Sequence, residues 1–153
     1  MSIKMREVIE LSCVLLQLEY ALQLLKEPES LNENLREQAE KDLEQVLCCA
    51  NYICEEIAAD YINLKASQRF NSAAGQIIYS AFEHIPIDIY SVRQGGEDVP
   101  FQLFPRHLET AAGEIEVRYT YKPQKKELDD FLDFDARLSA RAAAYGTAAE
   151  YSL

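Results

Sequence analysis

The chain has no tryptophan and only two histidines in 153 residues. The nine tyrosines and six phenylalanines must therefore supply the bulk of any core. Basic side chains are scarce as well, 15 Lys and Arg against 26 Asp and Glu, for a net charge of −11. Residues 1–65 carry 6 basic and 13 acidic side chains, and residues 66–153 carry 9 and 13. Neither part has enough cations to neutralise several phosphates, so the charge disfavours tight non-specific wrapping of nucleic acid. It does not disfavour proximity to DNA without gripping it. No apolar run reaches the ~20 residues of a membrane span. The N-terminal stretch MSIKMREVIEL has acids inside its apolar part and no small-residue cleavage site, so it does not read as a signal peptide. The chain also lacks the G-x-G-x-x-G, P-loop, G-x-S-x-G and H-E-x-x-H motifs.

What remains is enough to fold. Hydrophobic residues make up 48% of the chain, and its length suits one domain. The pattern predicts an α+β fold, an antiparallel helical bundle with a small antiparallel sheet inserted between its second and third helices. A helical hairpin is expected over residues 1–65, a β insertion over 66–123, and an acidic connector with a C-terminal helix over 124–153.

The first helix is expected over residues 3–26. Val8, Leu11, Leu15, Leu18, Leu22 and Leu25 form an a/d seam in it. Pro28 ends it, because its ring and missing N–H stop the hydrogen-bond ladder. Ser30-Leu31-Asn32-Glu33 reads as a capping box that opens a second helix. Its stripe is Leu35, Ala39, Leu43, Val46, Ala50, Ile53, Ile57, Tyr61 and Leu64. The short break makes the two helices antiparallel neighbours, sealed by Leu15, Leu18, Leu22, Val46, Ile53 and Ile57.

From Ala66 the period changes to 2. Strands are expected over 76–83, through Ile85, Ile87 and Ile89, more weakly over 99–104, and most clearly over 114–122. Gly95-Gly96 supplies a turn. In the last strand Ile115, Val117, Tyr119 and Tyr121 share one face. Asp135 then reads as the N-cap of a third helix, with a buried stripe of Leu138, Ala142, Tyr145, Ala149 and Leu153. That helix is still periodic at the last residue, as a trimmed or docked terminus would be.

No arrangement of reactive side chains carries a chemistry. Cys13, Cys48, Cys49 and Cys54 lie on expected helices, and offsets of 5 and 6 do not bring thiolates to one face. They read as buried, reduced thiols of a cytosol-made protein. His84 and His107 have no nucleophile or carboxylate held against them by a motif. Glu37, Glu40 and Glu44, with Glu56 and Asp60 beyond, lack the tighter spacing of a helical Mg²⁺ site. Asp129, Asp130, Asp133 and Asp135 lack the turn glycine and closing glutamate of a calcium loop. No enzyme, metal or cofactor is expected.

Two stretches resemble a known family. One is Phe70-Asn71-Ser72 together with Gly113-Glu114-Ile115-Glu116-Val117-Arg118-Tyr119-Thr120-Tyr121-Lys122-Pro123. The other is Phe134-Asp135-Ala136-Arg137-Leu138 followed by Ala142-Ala143-Ala144-Tyr145-Gly146-Thr147-Ala148-Ala149-Glu150-Tyr151. In order and character they are similar to the head–tail connector (adaptor, or neck) proteins of tailed bacteriophages and prophages. The resemblance implies a virion protein, made in the bacterial host cytoplasm and placed in the neck. It further implies a homo-oligomeric ring, commonly of twelve copies, between a portal protein and tail components. On that reading Tyr121 or Ala144 lies at or near a subunit contact, with Tyr119 and Tyr121 as aromatic anchors and Tyr145 beside Ala144. The same residues also suit a cytosolic helical adaptor or regulatory module without catalytic activity. Neighbouring portal or capsid genes separate the two readings.

Overall fold

The computed structural model describes residues 2–135 and 137–153. Over these residues the chain is α+β, with four α-helices and antiparallel sheets. It divides into two compact units. The helical unit takes Met1–Ile57 and Lys125–Leu153, and the strand unit takes Ala58–Gln124. Among the described residues no helix is long and apolar enough to cross a membrane.

The expected first helix is two helices, α1 (Met5–Leu16) and α2 (Glu19–Lys26). Gln17 breaks it by adopting the left-handed conformation, φ 58°. The Leu18 N–H then donates to the Cys13 carbonyl at 2.9 Å and the Gln17 N–H to that of Val14 at 3.2 Å. These are the two bonds of a Schellman ending, here built without the glycine that announces one. Met5, Val8, Ile9, Ser12 and Cys13 form the buried face of α1. Leu11, Val14 and Leu15, on the expected seam or beside it, are exposed.

The second long helix, α3 (Glu33–Asp60), has 28 residues and spans about 42 Å. The capping box does not form. Ser30 belongs to a short 3-10 turn, Pro28–Ser30, and its hydroxyl donates to the Glu27 carbonyl. The Leu35 N–H instead donates to Asn32 Oδ1 at 3.0 Å. Ala39, Val46, Ala50, Ile53 and Cys54 are buried on α3, while Tyr61 beyond its end is 77% exposed.

The last helix, α4 (Ala140–Tyr151), starts later than Asp135. Its N-cap is Ser139, whose hydroxyl accepts from the Ala142 N–H at 3.0 Å. Asp135 accepts instead from the Arg137 N–H and guanidinium, both at 2.9 Å. Ala136, quoted above for the resemblance, lies outside the described residues. The buried face of α4 is Ala143, Ala144 and Thr147, with Leu138 buried ahead of it. Of the expected stripe, Ala142, Tyr145, Ala149 and Leu153 are exposed.

Helix α4 packs closely on α1. Ser12, Cys13, Ala143, Ala144 and Thr147 are small, and close approach selects them over leucines. The two buried hydroxyls donate within their own helices, Ser12 to the Val8 carbonyl and Thr147 to that of Ala143, so their burial leaves no donor unmet. Gly146 on α4 faces Ile53 so closely that an added Cβ would stand 3.0 Å from Ile53 Cγ2.

Asn51 ties the returning chain to α3. Its side-chain amide donates to the Lys126 carbonyl at 3.0 Å and accepts from the Lys126 N–H at 2.7 Å. The same amide donates to the Leu47 carbonyl, so a side chain only 9% exposed is fully used.

The strand unit holds a four-stranded sheet, order β1-β7-β3-β4, and a three-stranded one, order β2-β6-β5. The first contains β1 (Lys65–Ser72), β3 (Ile85–Gln94), β4 (Glu97–Asp98) and β7 (Gly113–Lys122). The second contains β2 (Gln76–Ile78), β5 (Gln102–Leu103) and β6 (His107–Glu109). The strand expected over 76–83 stops at Ile78 and turns into a 3-10 segment, Tyr79–Ala81. The residues expected at 114–122 form β7, flanked by β1 and β3. Gly95 and Gly96 make the expected turn, both with positive φ. The core joins Ile77, Phe82, Leu108, Ile89, Val92, Ile115, Val117 and Tyr119. Ile85 and Ile87 are exposed and Ile89 buried, because register shifts after Pro86 and Ile89 break the alternation.

Two substitutions test these face assignments by chemical denaturation. Ile53→Ala should cost about 2–4 kcal/mol, whereas Leu15→Ala should cost under about 1 kcal/mol. Equal losses would place Leu15 back in the core. Asn51→Ala strands the Lys126 N–H and carbonyl and should cost about 2–4 kcal/mol. A near-neutral result would remove it as the tie.

Candidate functional site

The four residues expected at contacts are scattered. Tyr119, at the centre of β7, is fully buried. It packs edge-on against Phe82, centroids 4.9 Å apart, and donates to Gln68 Oε1 at 3.2 Å. Burial pushes its hydroxyl pKa up, and the Glu83 charge adds to this. Tyr121 is half-buried and stacks on His84 at 4.1 Å. Ala144 is fully buried within the helical unit, while Tyr145 beside it is 55% exposed. Of the four, Tyr145 offers an open surface and Tyr121 part of one.

The outer face of the four-stranded sheet presents charges that periodicity did not bring out. Lys65, Ser67, Arg69 and Asn71 alternate along β1 and are all exposed. One row crosses the whole sheet. Asp98 on β4 pairs with Arg93 on β3 at 3.2 Å. Arg93 lies opposite Glu116 on β7, and Glu116 lies opposite Arg69 on β1. The row therefore alternates in sign, with Asp98 at one edge and Arg69 at the other. Glu116 also accepts from Arg118 at 2.9 Å and from Ser67 at 3.0 Å. Those two bonds, Arg118 first, hold its carboxyl below the usual range. Among the described residues Arg69 has no ion pair of its own. A cavity of about 490 Å³ opens on this face, lined by Arg69, Asn71, Arg93, Gly95, Glu114 and Glu116.

The hydrogen bonding fixes which backbone groups meet the sheet's edges. The Tyr121 N–H donates to the Leu64 carbonyl at 2.9 Å, one step beyond the Lys65–Thr120 pair that ends the β1–β7 ladder. Bonded and non-bonded pairs alternate in an antiparallel ladder. Lys65, Ser67, Arg69 and Asn71 therefore turn their backbone N–H and C=O away from β7. Likewise the Val99 N–H donates to the Val92 carbonyl at 3.0 Å, which turns the backbone of Asp98 away from β3.

The other acidic, histidine and cysteine groups have local roles. Asp129 pairs with Arg6, Asp133 with Lys126 and Asp135 with Arg137, and Asp130 caps the Glu127 N–H. His107 contacts Glu109 at 3.2 Å and stacks on Phe104 at 4.9 Å. Among the described residues no three His, Cys, Asp or Glu side chains gather as a metal site.

Cys13 and Cys54 are buried and Cys48 is exposed. Burial first, then Asp42 and Glu10, pushes the Cys13 thiol up to about 11. Burial first, then Asp133, does the same for Cys54. Between pH 9 and about 11 the folded state keeps protons that the unfolded state has lost. Both thiols thus stabilise the fold below pH 9, and that contribution is lost as pH rises toward 11. Denaturation midpoints should fall over that window, and less steeply in Cys13→Ala. An identical pH slope in that variant would contradict the assignment. At neutral pH a thiol reagent should label Cys48 in the folded protein and reach Cys13 and Cys54 after unfolding.

No protein-family model matches the chain, and no curated protein matches it as a relative.

Proposed function

We propose that this chain is a structural protein of a tailed-phage neck. It is a head–tail connector, or adaptor, forming a ring, commonly of twelve copies in that family, between portal and tail through which DNA passes. The observation that carries the reading is where the resemblance falls in the fold. Its strand is β7, held between β1 and β3, and its Ala-rich stretch is α4, the helix on which α1 packs. A family pattern of packing residues belongs on framework elements, and both halves of this one do. In the same reading the helices form an antiparallel bundle into which the strand unit is inserted. The net charge of −11 suits a DNA path, because like charge prevents adhesion. The protein acts by assembly, without a cofactor.

A cytosolic adaptor or regulatory module is the second reading. The exposed Leu11, Val14 and Leu15 on α1 favour it, since a partner helix would cover such a stripe.

Reconstitution with a tailed-phage portal protein from the same genome, followed by electron microscopy, tests the first reading. A ring of added density on the portal is the expected result. No density on a cognate portal, together with co-purification of a cytosolic partner, would replace it with the second. Duplex DNA should bind more weakly than micromolar at physiological salt. A tight, steeply salt-dependent isotherm would point to a DNA-binding regulator.

A further inference from the structure

Resting on the ring reading, we infer that the four-stranded sheet continues from copy to copy, with β1 of one chain beside β4 of the next. Three independent features of the sheet agree on this junction.

The first is direction. The four strands alternate, so β1 and β4 run opposite ways. A copy added edge to edge in the same orientation then meets its neighbour as an antiparallel pair, the better-bonded arrangement. The second is hydrogen-bond phase. Arg69 and Asp98 both turn their backbone groups to the outer edges, and both side chains lie on the sheet's outer face. Set opposite each other, they make a hydrogen-bonded pair with their side chains adjacent. The third is charge. The row Asp98, Arg93, Glu116, Arg69 ends in an anion at one edge and, at the other, in a cation with no ion pair of its own among the described residues, so the next copy's Asp98 continues the alternation.

Self-pairing of either edge works against charge. Two β1 strands centred on Ser67 would set Lys65 against Arg69, and two β4 strands would set acid against acid. The open part of β3 does not compete, because Pro86 lacks an N–H and two register shifts distort the edge. The surviving contact joins unlike edges, and such contacts build rings or filaments rather than dimers. With only two residues in β4, one junction is weak. Closure, which gives every copy two junctions, holds the assembly together.

The test uses the full chain, alone at high concentration and on the portal ring. In a Cys48→Ser background, Arg69→Cys combined with Asp98→Cys brings the introduced thiols to Cα atoms about 5.5 Å apart. That is within the roughly 4.4–6.8 Å a disulfide spans. Oxidation should give a ladder of covalent multimers from the double variant and none from either single. Arg69→Asp alone and Asp98→Arg alone should each weaken association about tenfold or more. Mixing the two variants should restore it, since each supplies the edge the other repels, and a misfolded variant could not be rescued this way. If the reversed variants assemble like the native chain and no 69–98 crosslink forms, the junction is wrong while the ring reading stands. If the native chain never self-associates, alone or on the portal, both fall.

Discussion

The helical unit is made from two stretches of chain with the entire strand unit between them, and one side chain holds the two stretches in register. Asn51 engages both backbone groups of Lys126, and Lys126 in turn reaches Asp133 at 3.0 Å. With that segment fixed, the Met5 N–H finds the Asp130 carbonyl and the Leu132 N–H that of Ile3, so the start of α1 is pinned. Leu132, Phe134 and Leu138 are then buried, and α4 follows from Ser139. An amide suits this task because it offers donors and an acceptor to a peptide group. It does so without the cost of burying a charge.

The strand unit depends on β7 in a comparable way. Its inward residues Ile115, Val117 and Tyr119 sit between neighbours on both sides. Its outward Glu116 lies opposite Arg93 on one side and Arg69 on the other. One strand thereby organises a buried apolar face and an ordered charged face, which is what period-2 alternation permits.

The sequence made β7 legible because its apolar and polar residues alternate without interruption. It hid β1, because in KASQRFNS the one large apolar residue is Phe70 and the inward positions include Gln68 and Ser72. The break at Gln17 was hidden too, since nothing in a run of leucines marks a non-glycine residue for the left-handed region. The helix faces differ from the expected ones for a shared reason. Counting hydrophobicity favours leucines, but close approach of α1 and α4 favours Ser, Cys, Ala and Thr, leaving Leu11 and Leu15 outside. The same effect turned Ala144 from a surface candidate into a core residue, and Tyr119 was claimed by Phe82 and Gln68. Arg69 and Asp98 were not legible at all. They lie far apart in sequence, at opposite edges of a sheet whose strand order only the fold reveals.

The central claim is that identical copies of this chain build a ring on a portal, and the mass of that particle tests it most directly. Native mass spectrometry of the complex co-expressed with its portal should show one dominant species. Its excess over the bare portal should be a fixed whole multiple of 17.4 kDa. Portal rings carrying no added mass, or this chain found only in one-to-one complexes with some other protein, would contradict the account.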